Sequence, residues 1–167
     1  MSRAVRAVGP GLLAFVVYIV FSGSVNTYNI VTGVVVAAVV GFLTANITVS
    51  NPGKLGEVGR LGWLIAYAIR YFFIDEVRAH VDVMRRIVHP RMPINPGIVR
   101  VPYAVSSDYA MTTIANSITN TPGTVVVDVD TERKVFYVHW IDVKGVEPEV
   151  TRGISRVFEF FASRIFD

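Results

Sequence analysis

The feature that most constrains this chain is a long stretch without charge near its start. From Ala7 to Gly53 there is no aspartate, glutamate, lysine or arginine. Residues 54–167, by contrast, carry 27 of the chain's 29 charged side chains. A soluble domain is charged along its whole length, because charged side chains cover its surface. The pattern therefore predicts a membrane-embedded N-terminal part followed by a water-soluble C-terminal part.

Two apolar runs fill the uncharged stretch and predict a transmembrane helical hairpin over residues 1–50. The run Tyr28–Val49 would extend ~33 Å as an α-helix, which is enough to cross a hydrocarbon core of ~30 Å. The run Val8–Phe21 is shorter and contains Pro10. The uncharged connector 22–27 is rich in residues that favour turns. A cleaved signal peptide that ends near this connector is the alternative.

Small residues recur at every fourth position of the second apolar run. This spacing places them on one face of a helix, where the backbone of another helix can approach closely. Close packing of this kind drives association in lipid, where the hydrophobic effect between helices is absent. We therefore predict a helix-packing face, whose partner is the first run or another protein. Its members are Gly33, Ala37, Gly41 and Ala45.

An amphipathic helix is predicted after the hairpin, within residues 51–90. Apolar side chains recur on one side of it at helical spacing, and charged side chains recur on the other. We expect this helix to lie at the membrane surface, with Trp63, Tyr67 and Tyr71 at the level of the lipid headgroups. A third span is the alternative, and Arg70 would then be a charge buried in the membrane. The apolar stripe consists of Ala66, Ile69, Phe73, Val77, Val81, Met84 and Val88.

The positions of arginine and lysine predict the orientation. Arg3 and Arg6 precede the hairpin and Lys54 and Arg60 follow it, whereas the connector carries no positive charge. Positive side chains beside a span stay on the cytoplasmic side. We therefore expect a multi-pass protein of the plasma membrane with both termini in the cytoplasm. The same bias explains the net charge of +3, so nucleic acid is not an expected partner.

The C-terminal part predicts a small cytoplasmic α+β domain over residues 98–167, in the order β-α-β-β-α. A proline-rich linker over residues 91–97 separates it from the preceding helix, since proline cannot continue a helix. Alternation along the strand 124–130 places three apolar side chains on one face. These are Val125, Val127 and Val129.

Groups that could perform chemistry are sparse. His139 and Asp142 lie close together in sequence, but strand alternation points them to opposite faces, which disfavours a metal or acid–base site. The chain has no cysteine and no nucleotide-binding or catalytic-triad motif. We therefore expect no catalytic, cofactor-binding or metal-binding residues and no cofactor. The predicted spans also lack ionisable groups, so an ion path through this chain alone is physically implausible.

Three short motifs carry a family resemblance. They are NPGI at 95–98, NSITNTPGT at 116–124 with VDV at 127–129, and YVHWIDV at 137–143. Together with the apolar hairpin and the long amphipathic helix, they resemble the E subunit of Mrp/Mnh-type multisubunit cation/proton antiporters. Relatives of this family occur in archaeal membrane-bound hydrogenase complexes. The resemblance covers essentially the whole chain.

The resemblance implies a non-catalytic accessory subunit of a Na+/H+ antiporter or of an antiporter-containing hydrogenase complex. Such a subunit supports assembly and ion translocation without holding the ion path. Its implied partners are the other membrane subunits of the complex and the lipid bilayer. The alternative is a stand-alone, membrane-anchored α+β module that binds a ligand or regulates, with a pocket on the Val/Phe/Trp sheet face. A candidate docking or structural motif consists of Asn116, Thr121, Pro122, Gly123, His139 and Asp142.

Overall fold

The computed structural model describes residues 3–48 and 57–167. The chain divides into two compact units, Met1–Val58 and Gly59–Asp167. The first unit contains two long helices, α1 (Arg3–Ser22) and α2 (Thr27–Thr48). The second contains a small sheet with the helices that pack on it.

The two helices of the first unit form an antiparallel hairpin. Both are long and apolar enough to cross a membrane, and in the described ranges they are the only helices that meet that test. Few of their residues are buried, and Phe21 is 86% exposed. The core helix of a soluble protein buries most of its apolar side chains, so these helices are suited to lipid instead. Helix α1 runs through Pro10 and is longer than the predicted run Val8–Phe21.

The turn of the hairpin is built by small polar residues. Gly23 adopts a positive φ of 67°, which a residue without a Cβ atom adopts at little cost. Asn26 caps α2, because its Oδ1 accepts a hydrogen bond of 2.8 Å from the backbone N–H of Asn29. The side-chain amide of Asn29 in turn donates to Ser24 Oγ at 2.7 Å.

The second unit begins with one continuous helical rod, followed by the α+β elements in the predicted order β-α-β-β-α. The strand order in the sheet is β1-β3-β2, and both strand pairs are antiparallel. The rod consists of α3 (Val58–Arg70), a π-helical segment (Tyr71–Asp75) and α4 (Glu76–Val88). The later elements are β1 (Gly97–Pro102), α5 (Asp108–Asn120), β2 (Thr124–Asp130), β3 (Val135–Trp140) and α6 (Pro148–Phe166).

One face of the sheet is the core of this unit and the other face is open. Phe136 and Val138 of β3 are completely buried, as are Ile114 and Ile118 of α5. The predicted common face of Val125, Val127 and Val129 is wrong. A β-bulge between Val126 and Asp128 shifts the alternation, so Val126 and Val129 pack against the core while the other two valines are exposed.

The helical rod buries its tyrosines rather than its predicted apolar stripe. Tyr67 and Tyr71 are buried in the core of the second unit, so the expectation that they lie at the lipid headgroups is wrong. Phe73 at 74% and Val77 at 52% are exposed. The reason is that Tyr67 and Tyr71, four residues apart on one side of the rod, pack against Phe161 and Phe158 of α6, so this side is covered instead of the apolar stripe.

Candidate functional site

The predicted helix-packing residues lie on the side of α2 that faces α1. A Cβ atom on Gly41 would lie 2.6 Å from the backbone oxygen of Ala7, and one on Gly11 would lie 3.0 Å from that of Ala37. The backbones of the two helices are therefore too close for side chains at these glycines. Gly33 lies under aromatic rings of α1, and Ala45 is completely buried. Contact of this face with another subunit stays a prediction.

Thr121, Pro122 and Gly123 form the turn that connects α5 to β2. Thr121 Oγ1 donates a hydrogen bond of 2.7 Å to the carbonyl of Ser117, which ends α5. Gly123 has a φ of 96°, a conformation that favours glycine. Its carbonyl accepts a hydrogen bond from the backbone N–H of Ile141, and a Cβ atom would lie 3.6 Å from Val83 of α4. The turn is therefore enclosed between α4 and the end of β3.

Arg86 of α4 connects three separate segments beside this turn. Its Nε donates to Asp82 Oδ2 at 2.8 Å, and its Nη1 donates to the carbonyl of Pro93 at 2.7 Å and lies 3.0 Å from Asp142 Oδ2. The Arg86 side chain is only 14% exposed. Its hydrogen bond holds the pKa of the Asp82 carboxyl below the usual value. We name this group of four residues, Asp82, Arg86, Pro93 and Asp142, the α4 junction.

The linker reinforces the α4 junction by pairing with the residues that follow β3. Asn95 donates its backbone N–H to Ile141 and accepts at its carbonyl from Val143, with distances of 3.0 and 2.8 Å. Its side-chain amide donates to the carbonyl of Val143 at 2.8 Å. The first residue of the NPGI motif therefore fixes the linker to the sheet.

The six residues of the predicted docking motif do not form one surface. The turn 121–123 and Asp142 come together beside α4. His139 is exposed on the open face of the sheet, opposite Ile98 and Val125 in the strand register. Asn116 is exposed on α5. The Asp82–Arg86 pair is visible in the sequence as an i,i+4 spacing, but its contact with Asp142 has no sequence signal.

A hydrogen-bonded tyrosine fixes α3 to α5. Ser117 Oγ donates to the carbonyl of Thr113 at 2.7 Å, so its oxygen accepts from the hydroxyl of Tyr67. Burial raises the pKa of Tyr67. Burial, and then the neighbouring Glu76, also raises the pKa of Tyr71. Both phenols therefore stay neutral in the core, where Tyr67 is hydrogen-bonded to Ser117 and the Tyr71 hydroxyl makes no hydrogen bond within the described ranges. Composition and spacing gave no indication of these bonds.

Arg70 is the last residue of α3, and its side chain faces α6. It lies outside both candidate spans. Its Nε is 3.3 Å from Asp75 Oδ2, at the far end of the π-helical segment. It also lines a pocket whose other walls come from α6. A membrane-buried role for this arginine stays a prediction. In residues 3–48 and 57–167 no three histidine, aspartate or glutamate side chains gather in a metal-binding arrangement.

Comparison with known proteins gives matches over nearly the whole length. Residues 11–165 match the MNHE family, described as Na+/H+ ion antiporter subunit. The E subunit of the Na+/H+ antiporter of Alkalihalophilus pseudofirmus is 30% identical, over 89% of this chain and 90% of that protein. The E1 subunit of the Na+/H+ antiporter of Staphylococcus haemolyticus is also 30% identical, over 89% of both chains.

A solved structure has the same fold over almost the same length. It is a chain of the membrane-bound sulfane sulfur reductase, an archaeal respiratory membrane complex. The two chains superpose with a TM-score of 0.82 and are 32% identical, over 96% of this chain and 99% of the other.

Proposed function

Because this chain belongs to the family of Na+/H+ antiporter E subunits, we propose that it is an accessory subunit of a multisubunit cation/proton antiporter or of a respiratory membrane complex with an antiporter module. The observation that carries this proposal is the extent of the match. Residues 11–165 include the hairpin, the helical rod and the sheet, so the likeness is to a whole subunit rather than to one shared domain.

The composition of the hairpin supports an accessory role that leaves the ion path to other subunits. Proton and sodium pathways in membranes are built from ionisable side chains that face the interior of a helix bundle. The only charged residues of α1 and α2 are Arg3 and Arg6, both in the first turns of α1. Arg3 donates to the carbonyl of Phe42 at 3.2 Å and stacks on its ring. The chain by itself is therefore proposed to be non-catalytic.

The packing of the sheet argues against the stand-alone ligand-binding module. That alternative needs a pocket on the apolar sheet face. Within residues 57–167 this face is filled by the helices that pack on it, and Phe136 and Val138 have no exposed surface. Exposed apolar side chains are most numerous on α1, α2 and the helical rod, which suits a protein surrounded by lipid and by other subunits.

Reconstitution tests whether the ion path lies outside this chain. Liposomes that contain the purified chain alone are expected to show no Na+-dependent proton flux above that of empty liposomes. Liposomes with the whole complex are expected to show flux, and a complex prepared from cells that lack this chain is expected to lose most of it. An added Na+/H+-exchanging ionophore is the positive control. Flux through the chain alone would contradict the proposal.

We further propose that the chain spans the plasma membrane twice and that its α+β part lies in the cytoplasm. The charge bias around the hairpin supports this orientation. Since the chain has no cysteine, a single cysteine substitution reports the side of the membrane on which that residue lies, without labelling at other positions of the chain. In intact cells a membrane-impermeant maleimide should label Val25→Cys in the hairpin turn, and should label Glu132→Cys only after permeabilisation. The reverse pattern would contradict the orientation.

A further inference from the structure

A pocket of about 360 Å³ lies between α3 and α6 of the second unit. Two arginines line it, Arg70 from α3 and Arg156 from α6. Its remaining walls are apolar and come from Val157, Phe160 and Phe161. A pocket with two guanidinium groups over an apolar wall suits an amphipathic anion.

The positive charge in the pocket is only partly neutralised. Arg156 is exposed and makes no ion pair or hydrogen bond with any residue in the described ranges. Arg70 is beside Asp75, but neither Arg70 Nε nor Asp75 Oδ2 makes a hydrogen bond in the described part of the chain. Two guanidinium groups therefore line the pocket, and an ion pair engages only Arg70 of the two within the described ranges.

Helix α6 extends this positive surface. Arg152, Arg156, Phe160 and Arg164 recur at every fourth position, which places them along one face of the helix. The guanidinium of Arg164 lies 3.6 Å from the centre of the Phe160 ring and 5.3 Å from that of Trp63. The Arg164 side chain therefore covers two aromatic rings. Arginine and aromatic side chains are found together in this way at membrane–water boundaries.

Helix α3 also exposes apolar side chains, on the side away from the pocket, since helical spacing places Arg70 opposite Leu61 and Ile65. A helix with an exposed apolar side opposite its arginine is typical of segments that lie in the membrane interface, with the apolar side chains in the acyl region and the positive charges at the phosphates. The exposed residues are Leu61 at 56%, Leu64 at 42%, Ile65 at 53%, Ile69 at 56% and Phe72 at 64%.

We propose that the pocket between Arg70 and Arg156 binds the phosphate of an anionic phospholipid headgroup, whose acyl chains lie against the apolar wall formed by Val157 and Phe160. The planar guanidinium fork matches phosphate geometry. The apolar wall of the pocket, where Phe160 is 44% exposed, favours a lipid over a free anion, which would leave this wall in water. This inference rests on the proposed function, because it requires a membrane-bound subunit. The proposed function does not in turn require a lipid preference, so the two can fail separately.

Trp63 provides a local reporter for the test. It is 40% exposed and its ring lies 5.9 Å from that of Phe160. The only other tryptophan is Trp140, so Trp140→Phe makes the fluorescence specific to the pocket. The full chain is placed in nanodiscs of phosphatidylcholine with a minor fraction of brominated phosphatidylglycerol. The quenching of Trp63 is expected to exceed that caused by the same fraction of brominated phosphatidylcholine.

Substitution of the pocket arginines tests the assignment. Arg156→Gln and Arg70→Gln are each expected to weaken the preference for phosphatidylglycerol roughly fivefold, the usual effect of one basic residue at an anionic membrane surface. Arg156→Lys, which keeps the charge, is expected to retain most of the preference. Arg100→Gln, an equal change of charge on the open face of the sheet, is the matched control and should have no effect.

The outcomes separate lipid binding from the alternatives. Equal quenching by the two brominated lipids would overturn the proposal, as would a preference that Arg156→Gln leaves unchanged. Inorganic phosphate tests the remaining alternative, a site for a free anion. If phosphate alone binds the detergent-solubilised chain in calorimetry and removes the lipid preference, the pocket is a site for a free anion and the lipid assignment is wrong. Recovery of the chain in a complex without lipid preference would overturn this inference alone.

Discussion

Replacing Gly41 by isoleucine is expected to separate the two helices of the hairpin. A Cβ atom at this position would lie 2.6 Å from the backbone oxygen of Ala7 and 3.0 Å from the Cα of Gly11. Backbone atoms cannot yield as a flexible side chain can, so the helices must move apart. Overpacking of this kind costs about 1–3 kcal/mol. We expect a correspondingly lower thermal stability of the full chain in detergent, measured by circular dichroism at helical wavelengths.

The matched control for this change is Ala38→Ile. Ala38 lies on the exposed side of α2 and receives the same β-branched side chain without meeting α1. Incorporation into the complex should fall about tenfold or more for Gly41→Ile, in proportion to the lost packing energy, and should stay near that of the native chain for Ala38→Ile. If the two variants behaved alike, the glycine face would not be what holds the hairpin together.

Replacing Arg86 by glutamine is expected to lower the free energy of unfolding of the second unit by about 2 kcal/mol, because the carboxylate of Asp142 and the carbonyl of Pro93 lose a charged donor. Both tryptophans, Trp63 and Trp140, belong to this unit, so their fluorescence during denaturant unfolding measures it directly. Arg85→Gln is the matched control, since Arg85 is exposed and makes no hydrogen bond or ion pair in the described ranges.

The effect of Arg86→Gln is also expected to depend on pH. The pKa of Asp82 is lowered in the folded protein, chiefly by the hydrogen bond from Arg86. The pair therefore stabilises the fold at pH values above the unfolded pKa of about 4, and this contribution is lost as the pH falls through the lower folded pKa. The Asp82 side chain is 57% exposed, so the contribution is small. A stability difference that did not shrink below pH 4 would contradict this assignment.

The elements that the sequence predicted correctly are those determined by local pattern. The uncharged stretch required two apolar helices, and the connector 22–27 required a turn between them. The order β-α-β-β-α followed from alternation and from the proline-rich linker before the first strand. Locally, Ser107 caps α5 by accepting a hydrogen bond from the backbone N–H of Ala110. Such features depend on residues close in sequence, so a single chain is enough to predict them.

The features that the sequence did not predict depend on contacts between distant residues. The bulge at Val126–Asp128 changes which valines face the core, so that Val126, instead of Val125 and Val127, packs there with Val129. Tyr67 and Tyr71 pack against Phe161 and Phe158 of α6, with ring centres 5.4 and 5.9 Å apart, so the rod buries its tyrosines instead of its apolar stripe. Arg86 was visible only as a local partner of Asp82. Its contact with Asp142 arises because the linker that follows α4 pairs with residues 141 and 143 after β3, which brings Asp142 beside α4.

Purification of the native chain from its own membranes in a mild detergent tests whether it is an accessory subunit of a larger complex. We expect the chain to elute in a large assembly, and mass spectrometry to identify other membrane subunits of an antiporter or respiratory complex in constant proportion to it. Elution of the chain as a free monomer, with no other subunit attached, would show that it is not such a subunit.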